Sequence, residues 1–432
     1  MDFTRRLVMK GAAVAAASFT TETACTAAPV PASAGERTVQ DIASDEAFWR
    51  PIVAQYDVTP DVVNFENGYW GLMAKPVLEA FVRNTEKVNR NNSWYARRDY
   101  YSDIQPIHAR IADFLGAGQD EIVFTRNATE SLQGLVGGYN RLKPGDAVMY
   151  SDLDYDSIQT AMDTKAEGEG ASVVRIAIPE PVTFDGLIDT YRQALEANPN
   201  VRLLLLTHIS HRTGLMIPVR EIVKMARGFN VDCIVDAAHS WGQIDFRMED
   251  LGADFIGFNL HKWIGAPIGA GLMYIRRDRL TDISPDISER PEGVGTIYHR
   301  IHTGTTNFAT FLTLKDALDF HELVGPARKA ARVAYLRDLW AEEMRDDDRI
   351  EILTPPDRRL HAAITSFRFR DVTSVEDNKA IVKALVDKHR IFTVHRDGVA
   401  NGACVRVTPT LYNTPDQAFQ LVRALHSLLA EF

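Results

Sequence analysis

Between residues 122 and 275, seven short apolar runs alternate with stretches of helical spacing, and this alternation restricts the fold more than any other feature. The runs cover 122–124, 147–150, 173–178, 201–206, 233–235, 255–258 and 272–275. Amphipathic stretches at 129–142, 158–166, 191–197 and 218–228 lie between them. Runs that are apolar throughout suit strands buried on both faces. Parallel strands need crossover connections, which the helical stretches supply. The reading is an α/β fold with a mainly parallel sheet covered by helices, whose ligands gather at the carboxyl ends of strands. Beyond a helical stretch at 308–324, strand-like pieces at 363–369, 392–395 and 404–408 join helical stretches at 375–389 and 416–431. They predict a smaller C-terminal α+β domain. The chain divides into a leader at 1–34, an arm at 35–65 with a helix-like stretch at 40–56, a large domain at 66–310 and a small domain at 311–432, with which the arm is grouped.

Two of the strand mouths carry chemistry. One run ends in Val235-Asp236-Ala237-Ala238-His239, and the next ends in Asn259-Leu260-His261-Lys262-Trp263. The glycine-rich Gly265-Ala266-Pro267-Ile268-Gly269-Ala270-Gly271 then turns back into the run at 272–275. A purely structural sequence has little reason to keep a lysine and an unpaired aspartate at the mouths of buried strands, where charge is costly. The pair suits pyridoxal 5'-phosphate (PLP): the amine forms a Schiff base and the acid holds the proton on the pyridine nitrogen. With Asn67-Gly68-Tyr69-Trp70-Gly71 near the start, these motifs resemble class V PLP-dependent aminotransferase-fold enzymes, and within them the isopenicillin N epimerase-like branch. The likeness runs from about Asn64 to the C-terminus. It implies the PLP-dependent transferase fold type I, PLP as cofactor and a small-molecule amino-acid substrate.

Lys262 is the expected Schiff-base residue, and its freed amine is the base for the Cα proton. Asp236 is the expected partner of the pyridine nitrogen, although an aspartate there also suits a helix N-cap. Arg126-Asn127-Ala128-Thr129-Glu130 follows a strand and opens a helix, a natural phosphate cradle. The resemblance implies that Ala128 and Thr129 hold the cofactor phosphate mostly through backbone N–H groups, with Asn259 and His261 as further contacts. It implies that Tyr155 stacks on the cofactor ring and that His239 hydrogen-bonds its phenolic oxygen. It also implies that Thr305, in Thr303-Gly304-Thr305-Thr306-Asn307, reaches the phosphate of the neighbouring subunit, which makes the protein a homodimer with a shared active site. Arg406 is a charge in the otherwise apolar Cys404-Val405-Arg406-Val407-Thr408 and needs a partner there. Its planar fork suits a carboxylate. The resemblance makes that carboxylate the substrate's. No metal site is expected.

The N-terminus is written differently. Thr4-Arg5-Arg6-Leu7-Val8-Met9-Lys10, the weakly apolar 11–19 and the small residues Ala32-Ser33-Ala34 are similar to a twin-arginine export signal with its cleavage site. The expected partner is the twin-arginine export machinery and the expected location the periplasm. Without the leader the chain keeps only Cys233 and Cys404, both in apolar runs, so no disulfide framework is indicated. A formal charge of −10 without a basic cluster argues against nucleic acid or an anionic membrane surface as a partner. No apolar run reaches the ~18 residues of a membrane span.

One PLP scaffold supports several reactions, so fold does not settle function. Desulfurases of this family carry a mobile cysteine some way before the carboxylate arginine, and residues 392–402 contain none. Desulfuration is therefore disfavoured. Aminotransfer needs a keto-acid acceptor, whereas an exported epimerase or lyase is self-contained. The expectation is epimerase-like or lyase-like action at Cα, with Tyr155 and the His208/His211 pair as candidates for proton return and aminotransfer as the alternative. A PLP-fold protein that binds ligand without turnover is the competing class.

Overall fold

The computed structural model describes residues 37–289 and 295–432. The export-signal reading of 1–34 lies outside the described residues.

All seven apolar runs enter one sheet. Its strands are β1 (Ile122–Thr125), β2 (Ala147–Ser151), β3 (Ser172–Ile176), β4 (Val201–Thr207), β5 (Asp232–Asp236), β6 (Phe255–Asn259) and β7 (Gly271–Ile275), in the spatial order β1-β7-β6-β5-β4-β2-β3. Pairings from β6 through β5, β4 and β2 to β3 are parallel, and β7 alone runs antiparallel between β6 and β1. That reversal follows from the glycine-rich segment after Lys262, which folds the chain straight back beside the strand it has left. Every residue of β2, β6 and β7 is buried. Each large aliphatic or aromatic side chain so buried contributes about 1.5–3 kcal/mol. Helices cover both faces: Ala128–Gly138 packs over β6 and β7, and Val219–Gly228 against β5.

The second sheet is antiparallel, with β8 (Ile350–Ile352), β9 (Thr365–Phe369), β10 (Val394–Arg396) and β11 (Cys404–Val407) in the order β10-β11-β9-β8. Helices Pro326–Arg345, Val375–His389 and Pro415–Leu428 pack around it. The two-residue strand Val63–Asn64 pairs with Ile391–Phe392, so the arm joins this unit before crossing to the other. Two of the expected helices are divided. The stretch at 308–324 breaks at Thr313, and the stretch at 40–56 becomes Val39–Ala43 and Glu46–Val53, with Asp45 capping the second. The two units are tied at Gln243: its amide donates to the His239 carbonyl at 2.6 Å, and its oxygen accepts from the N–H groups of Ala363 and Ile364.

Candidate active site

Three parallel strands end at one cavity of about 330 Å³. It is walled among others by Ala128, Thr129, Tyr155, Asp236, His239, Asn259, His261, Lys262 and Arg406. The structure therefore gathers nine residues that the sequence separates by up to 278 positions. Thr305 is not among them; it is exposed on the surface of its own chain. His208 is also outside, its ring in edge contact with Phe246 at 5.7 Å, while His211 lines the cavity.

Backbone register sets the relation between acid and amine. Asp236 ends β5 opposite Gly257 of β6, and Lys262 follows three residues after β6. The Asp236 carboxylate is buried and accepts the Ala238 N–H at 2.9 Å, a local cap that orients it. Burial raises its pKa, with the Ala238 hydrogen bond and the Lys262 charge pulling the other way. Burial lowers the Lys262 amine to a pKa of about 7, assisted by the Arg406 charge.

His239 reads out the same state. Trp263 donates its indole N–H to His239 Nδ1 at 3.3 Å, and His239 Nε2 lies 3.0 Å from Lys262 Nζ. Burial, with the Arg406 and Arg396 charges nearby, holds the imidazole neutral, its pKa well below the usual range. A neutral imidazole has one proton. With Nδ1 accepting, that proton sits on Nε2 and points at Nζ, which must accept it as an uncharged amine. Trp263 thereby selects the histidine tautomer that keeps the lysine nucleophilic.

The helix Ala128–Gly138 is capped by Asn127, whose side chain accepts from the Glu130 N–H at 2.8 Å. Asn259 accepts the Ala128 N–H at 2.8 Å, clamping this turn to the end of β6. In this arrangement the Ala128 donor is engaged by protein, and Thr129 beside it lines the cavity. His261 Nδ1 lies 2.8 Å from the Ala270 carbonyl, and burial lowers its pKa to about 4. Tyr155 meets the His211 ring edge-on, with centroids 5.3 Å apart. The loop bearing Tyr155 is anchored by Asp154, which accepts from both the N–H and hydroxyl of Thr207 at 2.8 and 2.7 Å.

Sequence reasoning passed over Glu66, Trp263 as a tautomer selector, and Arg396. Glu66 lies beside the Asn67-Gly68 motif, and both its oxygens accept from Arg406 Nη2, at 2.6 and 2.8 Å. Arg396 lines the cavity from a segment read only for its lack of cysteine. Cys404 is buried with its thiol 3.8 Å from the Arg212 carbonyl, and does not line the cavity. Burial lifts that thiol to about 11. Among the described residues no cluster of metal-ligating side chains is found.

The donor set fits PLP: a helix N-terminus for phosphate, a buried carboxylate for a ring nitrogen, a neutral amine for an aldehyde and an imidazole N–H beside it. Comparison with known proteins agrees. The aminotransferase class-V family model matches residues 73–417. Isopenicillin N epimerase of Streptomyces clavuligerus is 23% identical over 401 residues, spanning 89% of this chain and 99% of its own. A cysteine desulfurase of Haloferax volcanii is 25% identical over 389 residues, 85% of this chain and 89% of its own. The crystal structure of an Escherichia coli cysteine desulfurase superposes with a TM-score of 0.74 at 20% identity, covering 89% of this chain and 99% of that one.

Proposed function

The chain belongs to the aminotransferase class-V family, a PLP-dependent enzyme, and from that premise we propose that it epimerises or racemises an amino acid at Cα. PLP, when bound, supplies the electron sink that makes the Cα–H bond acidic. The protein's residues do the rest. Lys262 takes the Cα proton as a neutral amine, which its pKa of about 7 makes available near neutrality. Asp236 holds the proton on the ring nitrogen, and Arg406 holds the carboxylate. The observation that carries the choice of reaction is a second group able to give a proton to the cavity, the Tyr155 hydroxyl, its ring edge-on to His211, on a chain segment distinct from the lysine's. Inversion needs return of a proton from another direction than its removal. The relatives named as desulfurases bear on the choice too. Transfer of substrate sulfur to an enzyme cysteine needs a thiol within reach of the substrate, and among the described residues no cysteine lines this cavity.

The test is to incubate single amino acids with holoenzyme in deuterated buffer without keto acid. Exchange at Cα with loss of chirality supports the proposal. Exchange that always retains configuration overturns it, as does ammonia appearing with a keto acid, which marks a lyase, or stoichiometric pyridoxamine, which marks an aminotransferase.

We further infer a homodimer and export. Tyr69, 73% exposed beside the cavity, and Ile268, 61% exposed on the turn after the lysine, are large apolar side chains that a second copy would cover. The exposed Thr305 suits a role in a partner's site. Sedimentation analysis tests the first inference, and a monomer removes it. Cell fractionation of the protein with Arg5 and Arg6 both replaced by lysine tests the second, and undiminished export removes it.

A further inference from the structure

The arginine expected to hold the substrate carboxylate already holds one. Arg406 is 1% exposed and the Glu66 side chain 7%, so the pair is withdrawn from water. Nη1 of Arg406 is committed to the His211 carbonyl at 2.6 Å, and Nη2 serves both Glu66 oxygens. Gly68 closes the other side: a Cβ there would lie 2.2 Å from the guanidinium, so the loop lies flat against it. While Glu66 holds Nη2, a substrate carboxylate cannot take the two Nη groups of Arg406 as a fork, although the residue lines the cavity. A second guanidinium stands next to the pair. Arg396 lines the cavity with Nη2 3.9 Å from Glu66, too long for a hydrogen bond, and its buried Nε has no partner. Its adjacent acid, Asp397, is exposed.

Leaving aside Asp156 and Asp397, which are exposed at the cavity wall, the cluster thus has two cations, one resident anion and room for one more anion. A buried guanidinium without a carboxylate is costly. Displacing Glu66 from Arg406 is therefore tolerable only if Glu66 finds another cation, and Arg396 is placed to be that cation. We propose that Glu66 is a resident stand-in for the substrate carboxylate, handed from Arg406 to Arg396 when an amino acid enters, and that it restricts this site to amino acids with a single carboxylate. The inference rests on the reading of Arg406 as carboxylate anchor. With one substrate carboxylate bound, the charges in the cluster balance. A second carboxylate on the side chain would face Glu66 with no cation left, a repulsive element that gives selectivity.

The test is binding rather than turnover, so it stands apart from whether the reaction is epimerisation. Holoenzyme is titrated with L-alanine and with L-aspartate as probes, and the change in cofactor absorbance gives Kd. Glu66→Gln preserves shape and removes the charge. It is expected to tighten aspartate about tenfold more than it tightens alanine. Arg396→Gln, which leaves displaced Glu66 without a partner, is expected to weaken alanine about tenfold. Retained cofactor absorbance in each variant shows that it has folded. Equal effects of Glu66→Gln on both probes, or weaker binding of both, overturn the proposal. So does an Arg396→Gln variant with an unchanged alanine Kd.

Discussion

Replacing Trp263 with phenylalanine tests how the site keeps its lysine uncharged. The substitution keeps an apolar ring and removes only the N–H that His239 Nδ1 accepts at 3.3 Å. That hydrogen bond is the reason the imidazole proton resides on Nε2 and faces Lys262 Nζ. A buried hydrogen bond of this kind is worth about 1 kcal/mol, or about 0.75 of a pKa unit. Without it, the histidine is free to place its proton on Nδ1 and accept from a charged ammonium. The Lys262 pKa then rises from about 7. At pH 7 the neutral fraction falls from about half to roughly 15%, a threefold loss of reactive amine that vanishes at pH 9 and above. The assay is the rate at which apoprotein captures PLP, followed by the absorbance of the bound cofactor across pH. The midpoint of that profile is expected to move alkaline by about 0.75 unit. A coincident midpoint, or one moved to acid, refutes the assignment of the tautomer.

Other outcomes follow from the same geometry. Asp236→Asn removes the buried anion that would hold the proton on the ring nitrogen, and kcat is expected to fall about 10²–10³-fold with the cofactor still bound, read by steady-state kinetics. Gly71→Ala places a Cβ 2.0 Å from the Lys262 carbonyl, backbone that cannot swing aside, so PLP affinity measured by equilibrium titration should drop by about 1–3 kcal/mol. His208 is buried with its pKa lowered to about 4, so the unfolded chain binds its proton more readily. Stability should be full above the ordinary value near 6.5 and drain as pH falls towards 4, by about 2 kcal/mol at pH 5. Urea unfolding of apo His208→Gln at pH 7 and pH 5 should show that share of the acid sensitivity removed.

The central strands were legible because their burial on both sides leaves an almost unbroken apolar run, as in β6 and β7, whereas the edge strand β3 keeps Arg175 exposed. Long surface helices were harder to read. Lys75–Arg98 buries only Val77, Ala80 and Tyr95, so its apolar stripe is thin among charges, and it was not anticipated. That Asp236 and Lys262 meet at one cavity was readable from local motifs at strand mouths. Glu66 was not, because its meaning depends on an arginine 340 positions away, and spacing carries no trace of a contact made through tertiary folding. Arg396 was hidden for a related reason: a lone arginine on a short strand is ordinarily solvated, and only the cavity shows it facing inward. Cys404 shows the converse, since its neighbourhood to Arg406 in sequence does not bring its thiol to the cavity.

The acid and the amine stand on adjacent strands whose offset, Asp236 beside Gly257, is dictated by main-chain hydrogen bonds. Side-chain replacement elsewhere in the chain leaves that spacing untouched. Glu66, Tyr155 and Arg396 stand outside that register: Glu66 follows the two-residue strand Val63–Asn64, Arg396 ends β10 of the other sheet, and the Tyr155 loop is held by the Asp154 side chain. A scaffold so partitioned lets lineages exchange one reaction for another by rewriting its periphery, while the electron-handling centre is inherited intact.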